Sequence, residues 1–437
     1  MNASNSTQPI LEPDDEQESV LPKRNLWKTL LILLGLILTL SLGYSVFRTW
    51  QARLQLEARL AKLRDQGVPL TLDKLYSKSL PEDDNAQTWF RRSRPYTEKL
   101  AQLLNDYQST EEYRSLRPNT EQVKMLQQAF AQHAEAFSLY TQAAACSGYQ
   151  SDWRIGTLPS ESLKLIFMNS LETRLIMRHC LARAGLLMAQ DKFEEALKLG
   201  LQMLTLSRRV EYQPMVLGYL VSMACRLMSL NVIGEVLQRS ALTDEQRQRI
   251  DSALADCESV NGYKHAMASE RIYGLASFRS DIFVGSIQSF VIWKFKLDAC
   301  DYLDLMDDMA SLATQPRHAI SEKLIGLTQR EVGSLTRLVT PALLRFRNSH
   351  DRSLARVRCV RLLNALQRKW PEGIPDKPIF NELPGAEDWR QDPFTGKPLI
   401  IRVTEKAVVA YSVGINGTDD GGSLDDHEDQ GIRIEYK

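Results

Sequence analysis

The side chains best suited to binding chemistry crowd near the C-terminus of this chain. Asp419, Asp420, Asp425, Asp426, Glu428 and Asp429 place six carboxylates within eleven residues, and Gly417, Gly421 and Gly422 run through the same stretch. Hard oxygen donors on a glycine-rich loop suit Ca²⁺, which takes about six to eight ligands. The spacing does not build an EF-hand. With Asn416, Thr418 and Asp420 at its first, third and fifth positions and Gly421 at the sixth, His427 stands where a bidentate Glu is required. A solvated acidic turn accounts for the same residues.

Elsewhere the reactive residues are scattered. His133, His179, His265, His318, His350 and His427 form neither His-x-x-x-His nor His-Glu-x-x-His. Cys146, Cys180, Cys225, Cys257, Cys300 and Cys359 are too far apart for Cys-x-x-Cys zinc or redox pairs. Their apolar neighbours point to buried thiols. In an oxidising compartment one or two pairs are free to bridge, and the spacing does not select them. The sequence has no Gly-x-Ser-x-Gly elbow, phosphate-binding Walker loop or dinucleotide glycine fingerprint. Glu194 and Glu195 are helix neighbours about 100° apart, a poor arrangement for paired acid–base work. Residues 345–369 hold eight bases against Asp351 alone. These bases wrap around a helix without interleaved aromatics, as expected of a solvated or acid-paired helix rather than a nucleic-acid site.

The elements that carry these residues follow from composition and periodicity. Of 437 residues, 54 are basic and 54 acidic, 43% are apolar and 25% charged, close to the soluble-globular average. Zero net charge gives no overall pull toward nucleic acid. Residues 29–47 break that average: nineteen residues carry no formal charge and span about 28 Å as a helix, close to a bilayer's hydrocarbon core. Lys28 and Arg48 close the run, and Trp27, Tyr44 and Trp50 sit where interfacial aromatics belong. The stretch is longer than a signal-peptide core and lacks a small-x-small cleavage site, so it reads as an uncleaved anchor through which the chain meets a membrane. Lys23, Arg24 and Lys28 precede it; Arg48, Arg53, Arg59, Lys62 and Arg64 follow it. Counted alone, these charges put the large domain on the cytoplasmic side.

Beyond the anchor, residues 51–65 continue as a stalk that stops at Gly67 and Pro69. Helical periodicity predicts helices at about 86–107, 120–146, 160–189, 192–210, 213–239, 244–259, 261–280 and 340–369. Asn119 with Gln122, and Thr243 with Gln246, resemble capping boxes. Residues 181–209 resemble one tetratricopeptide-type hairpin with no second copy at that period, and an ordinary helix pair in a bundle is the favoured reading. A second uncharged run, residues 282–293, is too short to span a membrane. It reads as a buried helix or as an interfacial contact helped by Trp293, Lys294, Phe295 and Lys296. After Trp370 come prolines, then strand-like stretches at 398–403, 407–413 and 432–436.

Residues 392–422 resemble the C-terminal region of type II secretion major pseudopilins. The matching pieces are Asp392-Pro393-Phe394, Gly396, Tyr411-Ser412-Val413-Gly414, Asn416-Gly417 and Asp419-Asp420-Gly421-Gly422. The layout as a whole is similar to a group of uncharacterised bacterial proteins with one N-terminal anchor, a helical middle and such a tail. The resemblance implies bacterial origin, a domain facing the periplasm, and calcium held by the loop that carries Asp419, Asp420, Asp425, Asp426 and Asp429. It departs from the pilin pattern at the other end, where residues 29–47 contain no Glu and the leader is long. Processing and assembly as a pilus subunit are not expected.

The sequence thus predicts a mainly α protein in five parts: a disordered tail (1–25), a transmembrane helix (26–48), a stalk and linker (49–84), a helical bundle or hairpin-repeat body (85–370) and a small antiparallel β tail (371–437). The expected role is a single-pass, non-catalytic interaction or scaffold protein of the bacterial inner membrane with envelope protein partners. A motif-less envelope enzyme and a calcium-stabilised, secretion-associated module are the alternatives.

Overall fold

The computed structural model describes residues 23–76, 78–151, 159–279, 292–375, 383, 387–424 and 429–435. The expected tail up to residue 22, most of the 282–293 run, and Asp425 and Asp426 lie outside the described residues.

The first helix, α1 (Lys23–Asp65), runs unbroken through the uncharged stretch and the stalk. It ends as the sequence predicts. Gly67 takes a left-handed φ of 73°, and the Val68 amide turns back to the Leu63 carbonyl. The body begins with α2 (Leu72–Leu75), α3 (Ala86–Leu104), α4 (Glu111–Arg114), α5 (Thr120–Gln132), α6 (Ala134–Ala145), α7 (Pro159–Ala189) and α8 (Phe193–Val210). It continues with α9 (Met215–Arg239), α10 (Asp244–Asp256), α11 (Asn261–Arg279), α12 (Ile292–Ser311), α13 (Arg317–Gln329) and α14 (Ser334–Lys369).

Both capping boxes form. Three sequence expectations need correction. The helix expected over 120–146 breaks at His133, whose φ of −122° and ψ of 34° leave the helical region without any Pro or Gly to announce it. No helix was expected between 294 and 339, yet α12 runs on to Ser311 and α13 follows it there. The last helix starts at Ser334 and carries Pro341 inside it, as its eighth residue, where the ring removes the amide that would otherwise bond back to the Arg337 carbonyl.

The centre of the body is α9, packed against α7, α8, α11 and α14. Gly200 of α8 permits the closest approach, since an added Cβ would stand 3.0 Å from Val232. The main apolar core runs from α3 to α14, and a second cluster gathers Tyr219, Tyr263, Met306 and Phe346. The hairpin of α7 and α8 turns at Asp191 (φ 57°) and packs within this bundle.

Several helices are capped by side chains from elsewhere. Ser269 and Glu270 of α11 accept the Met215 and Val216 amides at the start of α9. Asp298 of α12 accepts the Leu335 and Thr336 amides at 2.8 and 3.0 Å, and Asp301 accepts that of Gly333 at 2.9 Å. Helix amino-termini have free donors and a positive dipole end, so buried carboxylates suit them.

Three strands, β1 (Ile400–Val403), β2 (Ala407–Ser412) and β3 (Gln430–Glu435), form one antiparallel sheet in the order β1-β2-β3. Ile400 lies opposite Tyr411, and Ala407 opposite Glu435. The sheet shares the main core: Val408, Ala410 and Ile434 are buried with α9 and α14. A Cβ on Gly234 of α9 would meet Ile432 at 2.6 Å, so the helix presents a glycine where the strand lies closest.

Candidate functional site

The acidic loop sits between β2 and β3. Gly421 and Gly422 both hold left-handed φ values, 74° and 77°, which turn the chain sharply enough to bring Asp419, Asp420 and Asp429 near one another. Asp419 Oδ1 accepts from the Tyr411 hydroxyl at 2.8 Å and the Gly421 amide at 2.9 Å. Asp420 Oδ2 accepts from the Asn416 side-chain amide at 3.2 Å. Asp429, 1% exposed, accepts the Gly422 amide on Oδ2, while its buried Oδ1 has no hydrogen-bond partner among the described residues. Burial raises its carboxyl pKa, and the charges of Asp420 and Asp419 add to that shift. Of the five candidate calcium ligands, the structure therefore gathers three. Asp425 and Asp426 lie outside the described residues. Among the described residues no three Asp, Glu, His or Cys side chains converge as a metal site. The fit to calcium rests on one unpartnered oxygen beside two like charges.

The Asp392-Pro393-Phe394 turn has a structural role. Asp392 is 3% exposed. Its Oδ1 accepts from the Phe394 amide and the Ser412 hydroxyl, both at 2.8 Å, and its Oδ2 from the Val413 amide at 3.2 Å. One carboxylate thereby ties the turn before β1 to the end of β2.

Sequence reasoning missed a second feature. Three histidines are enclosed, and each faces a tyrosine hydroxyl: His179 with Tyr140 at 3.3 Å, His265 with Tyr76 at 3.2 Å, and His350 with Tyr219 at 2.9 Å. Burial pushes the pKa values down, to about 4 for His179 and His265 and about 3 for His350. All three are neutral at neutral pH. The residues of each pair lie 39 to 189 positions apart, so no local motif announces them.

The Tyr76–His265 pair borders a cleft of about 450 Å³, lined also by Ser147, Arg208, Arg209 and Glu211. Most of the charge there is already engaged. Arg208 pairs with Asp256 at 2.6 Å, and Arg226 pairs with Glu211 below the surface. Arg209 donates to the Ser147 carbonyl at 2.6 Å, and the Ser147 hydroxyl donates to Asp84. The Tyr76 hydroxyl also donates to the Tyr212 carbonyl at 3.4 Å. A neutral imidazole with so low a pKa is a weak base, and the arrangement offers hydrogen bonds and one uncommitted guanidinium edge at Arg209 Nε.

Arg347, Arg358, Arg361 and Arg368 of α14 meet acids, the last three on α10 or the turn after it. Arg361 reaches Asp251 at 2.9 Å and also Glu258; Arg358 reaches Glu258 at 3.0 Å, and Arg368 reaches Asp244 at 2.9 Å. Arg347 and Asp351 form a buried pair at 3.0 Å, joined by Arg317. All six cysteines are buried and unbridged.

Stalk and body are joined in register. Leu60 and Leu63 of α1 pack with Leu275 and Leu303, and Arg59 pairs with Asp304 at 2.9 Å. Of the two helices among the described residues that are long and apolar enough to cross a membrane, α9 has 61% of its most apolar stretch buried inside the protein, and α1 only 6%. Comparison of the chain with family models, with curated proteins and with solved structures finds no match in any of the three.

Proposed function

We propose that the chain is a membrane-anchored, non-catalytic interaction protein of the bacterial envelope, with residues 29–47 in the inner membrane and the helical body in the periplasm. One observation carries this reading. A single unbroken helix leaves its apolar half exposed, from Leu30 at 56% to Phe47 at 56%, and buries Leu60 and Leu63 of its other half against the body. Exposed apolar surface on that scale needs a partner, and a bilayer matches its length. The engaged charges of the cleft, and the acid pairing of Arg347, Arg358, Arg361 and Arg368 on α14, favour a body built for packing and surface recognition over one built for turnover. The pseudopilin-like tail and the matching bacterial layout support the periplasmic side over the raw flanking charge.

The test is fractionation of the full chain expressed in a bacterium. It should stay with the membrane pellet through alkaline carbonate, and protease added outside spheroplasts should digest the body. Release by carbonate removes the anchor; a body protected in spheroplasts places it in the cytoplasm.

The buried Asp429 Oδ1, without a partner among the described residues, favours a second reading, a tail stabilised by calcium. An ion bound only to the folded state adds about 2.7 kcal/mol at a hundredfold excess over Kd. Calcium should then raise the melting midpoint of the native chain relative to chelator, and do so far less for Asp429→Asn. Equal midpoints with and without chelator in the native chain dismiss the site.

A further inference from the structure

The stalk and α12 keep step with each other. Arg48 stacks its guanidinium over the Trp293 ring at 4.7 Å, Arg59 pairs with Asp304, and Lys62 lies close enough to Asp307 to stabilise its charge. From contact to contact both helices advance by eleven residues and then by three. They therefore run parallel, with the first turn of α12 level with Arg48, the residue that ends the uncharged run. Whatever surrounds the end of that run also surrounds the start of α12.

We infer that the first turn of α12 is a second membrane contact, seated in the headgroup layer beside the anchor and binding lipid phosphates through Arg48, Lys294 and Lys296. The inference rests on the membrane reading of α1 proposed above. Trp293 supplies an amphipathic ring at the depth where Trp50 lies on the anchor, and interfacial layers favour such rings. Lys294 is exposed and also lies over Trp293, at 5.5 Å. Charge along α12 changes sign with height. Lys294 and Lys296 come first, and Asp298, Asp301, Asp304, Asp307 and Asp308 follow further up. The positive end of the helix dipole points the same way as the lysines. A surface of phosphates attracts this order and repels its inverse. The body is thus held at two adjacent points on the membrane surface.

The experiment uses the full chain in nanodiscs of phosphatidylcholine and phosphatidylglycerol doped with a nickel-chelating lipid. The native cysteines are all buried, so a nitroxide attaches to an introduced one. Labels go on Lys294→Cys, on Lys296→Cys, on Leu38→Cys inside the uncharged run, and on Arg64→Cys, about 24 Å further along α1 than Arg48. Headgroup nickel should relax the labels at 294 and 296 several-fold more than the label at 64, and oxygen should broaden the label at 38 as it does in lipid. Labels at 294 and 296 that relax no faster than the one at 64, with 38 in lipid, overturn this inference and leave the anchor standing. A label at 38 that is open to water overturns the anchor itself.

Discussion

The helices α1 and α9 are both long and apolar enough to cross a membrane, and the protein uses them in opposite ways. In α9 the polar groups look inward and find partners. Ser222 and Ser229 donate to carbonyls of their own helix at 2.7 and 3.0 Å, and Arg226, 2% exposed, pairs with the equally enclosed Glu211. In α1, residues 29–47 offer nothing charged to pair, and their side chains face outward. Hydropathy measures how much apolar surface a helix has. Burial of the groups around a central charge shows where that surface goes.

The largest effect should come from breaking the ion pair at the heart of α9. Arg226→Ala leaves Glu211 buried without its partner, an expected loss of about 3–5 kcal/mol in denaturant unfolding. Leu36→Ala in the exposed half of α1 should leave the same midpoint within about 0.5 kcal/mol. Similar losses from both changes would erase the distinction between the two helices.

A smaller effect is tied to pH. His350, packed against α9 through Tyr219, is pushed down to about 3 by burial and then by Arg347, Arg226 and Arg358. An unfolded histidine titrates near 6.5. Between about pH 6.5 and 3 the unfolded chain therefore holds the extra proton, and stability falls on acidification by up to about 1.4 kcal/mol per pH unit. The buried acids Glu270 and Asp351, raised by burial, act in the opposite direction. The readout is therefore the difference between native chain and His350→Gln, whose stability should fall less steeply from pH 6.5 to 4. Parallel slopes would mean that water reaches the pair.

The smallest effect belongs to the stalk. Arg59 and Asp304 are 46% and 35% exposed, so Arg59→Ala should cost less than about 1 kcal/mol in the same unfolding assay. A larger loss would show that charge, rather than Leu60 and Leu63, joins the stalk to the body.

Much of the architecture was legible in the sequence because it is local. Asn119 and Thr243 cap the helices they precede, Gly67 ends α1, and the three strands lie within two residues of their expected bounds. What escaped depends on distant partners. The acids of α12 carry no local signal of their roles, because Arg59, Arg271 and the start of α14, which they serve, lie elsewhere in the chain. The tyrosine–histidine pairs and the Arg226–Glu211 pair were invisible for the same reason. In the acidic loop the sequence supplied the residue types, but not that two of the three described carboxylates are taken up in turn hydrogen bonds and one retains a bare oxygen.

The unbroken course of α1 also has a mechanical consequence. With no hinge between its exposed half and its docked half, the helix acts as a rigid lever. On the membrane reading, any change in tilt, from a thinner bilayer or a neighbouring span, would swing the whole body through the same angle. The faces that the body offers to partners would then be set by the thickness and crowding of the membrane beneath it.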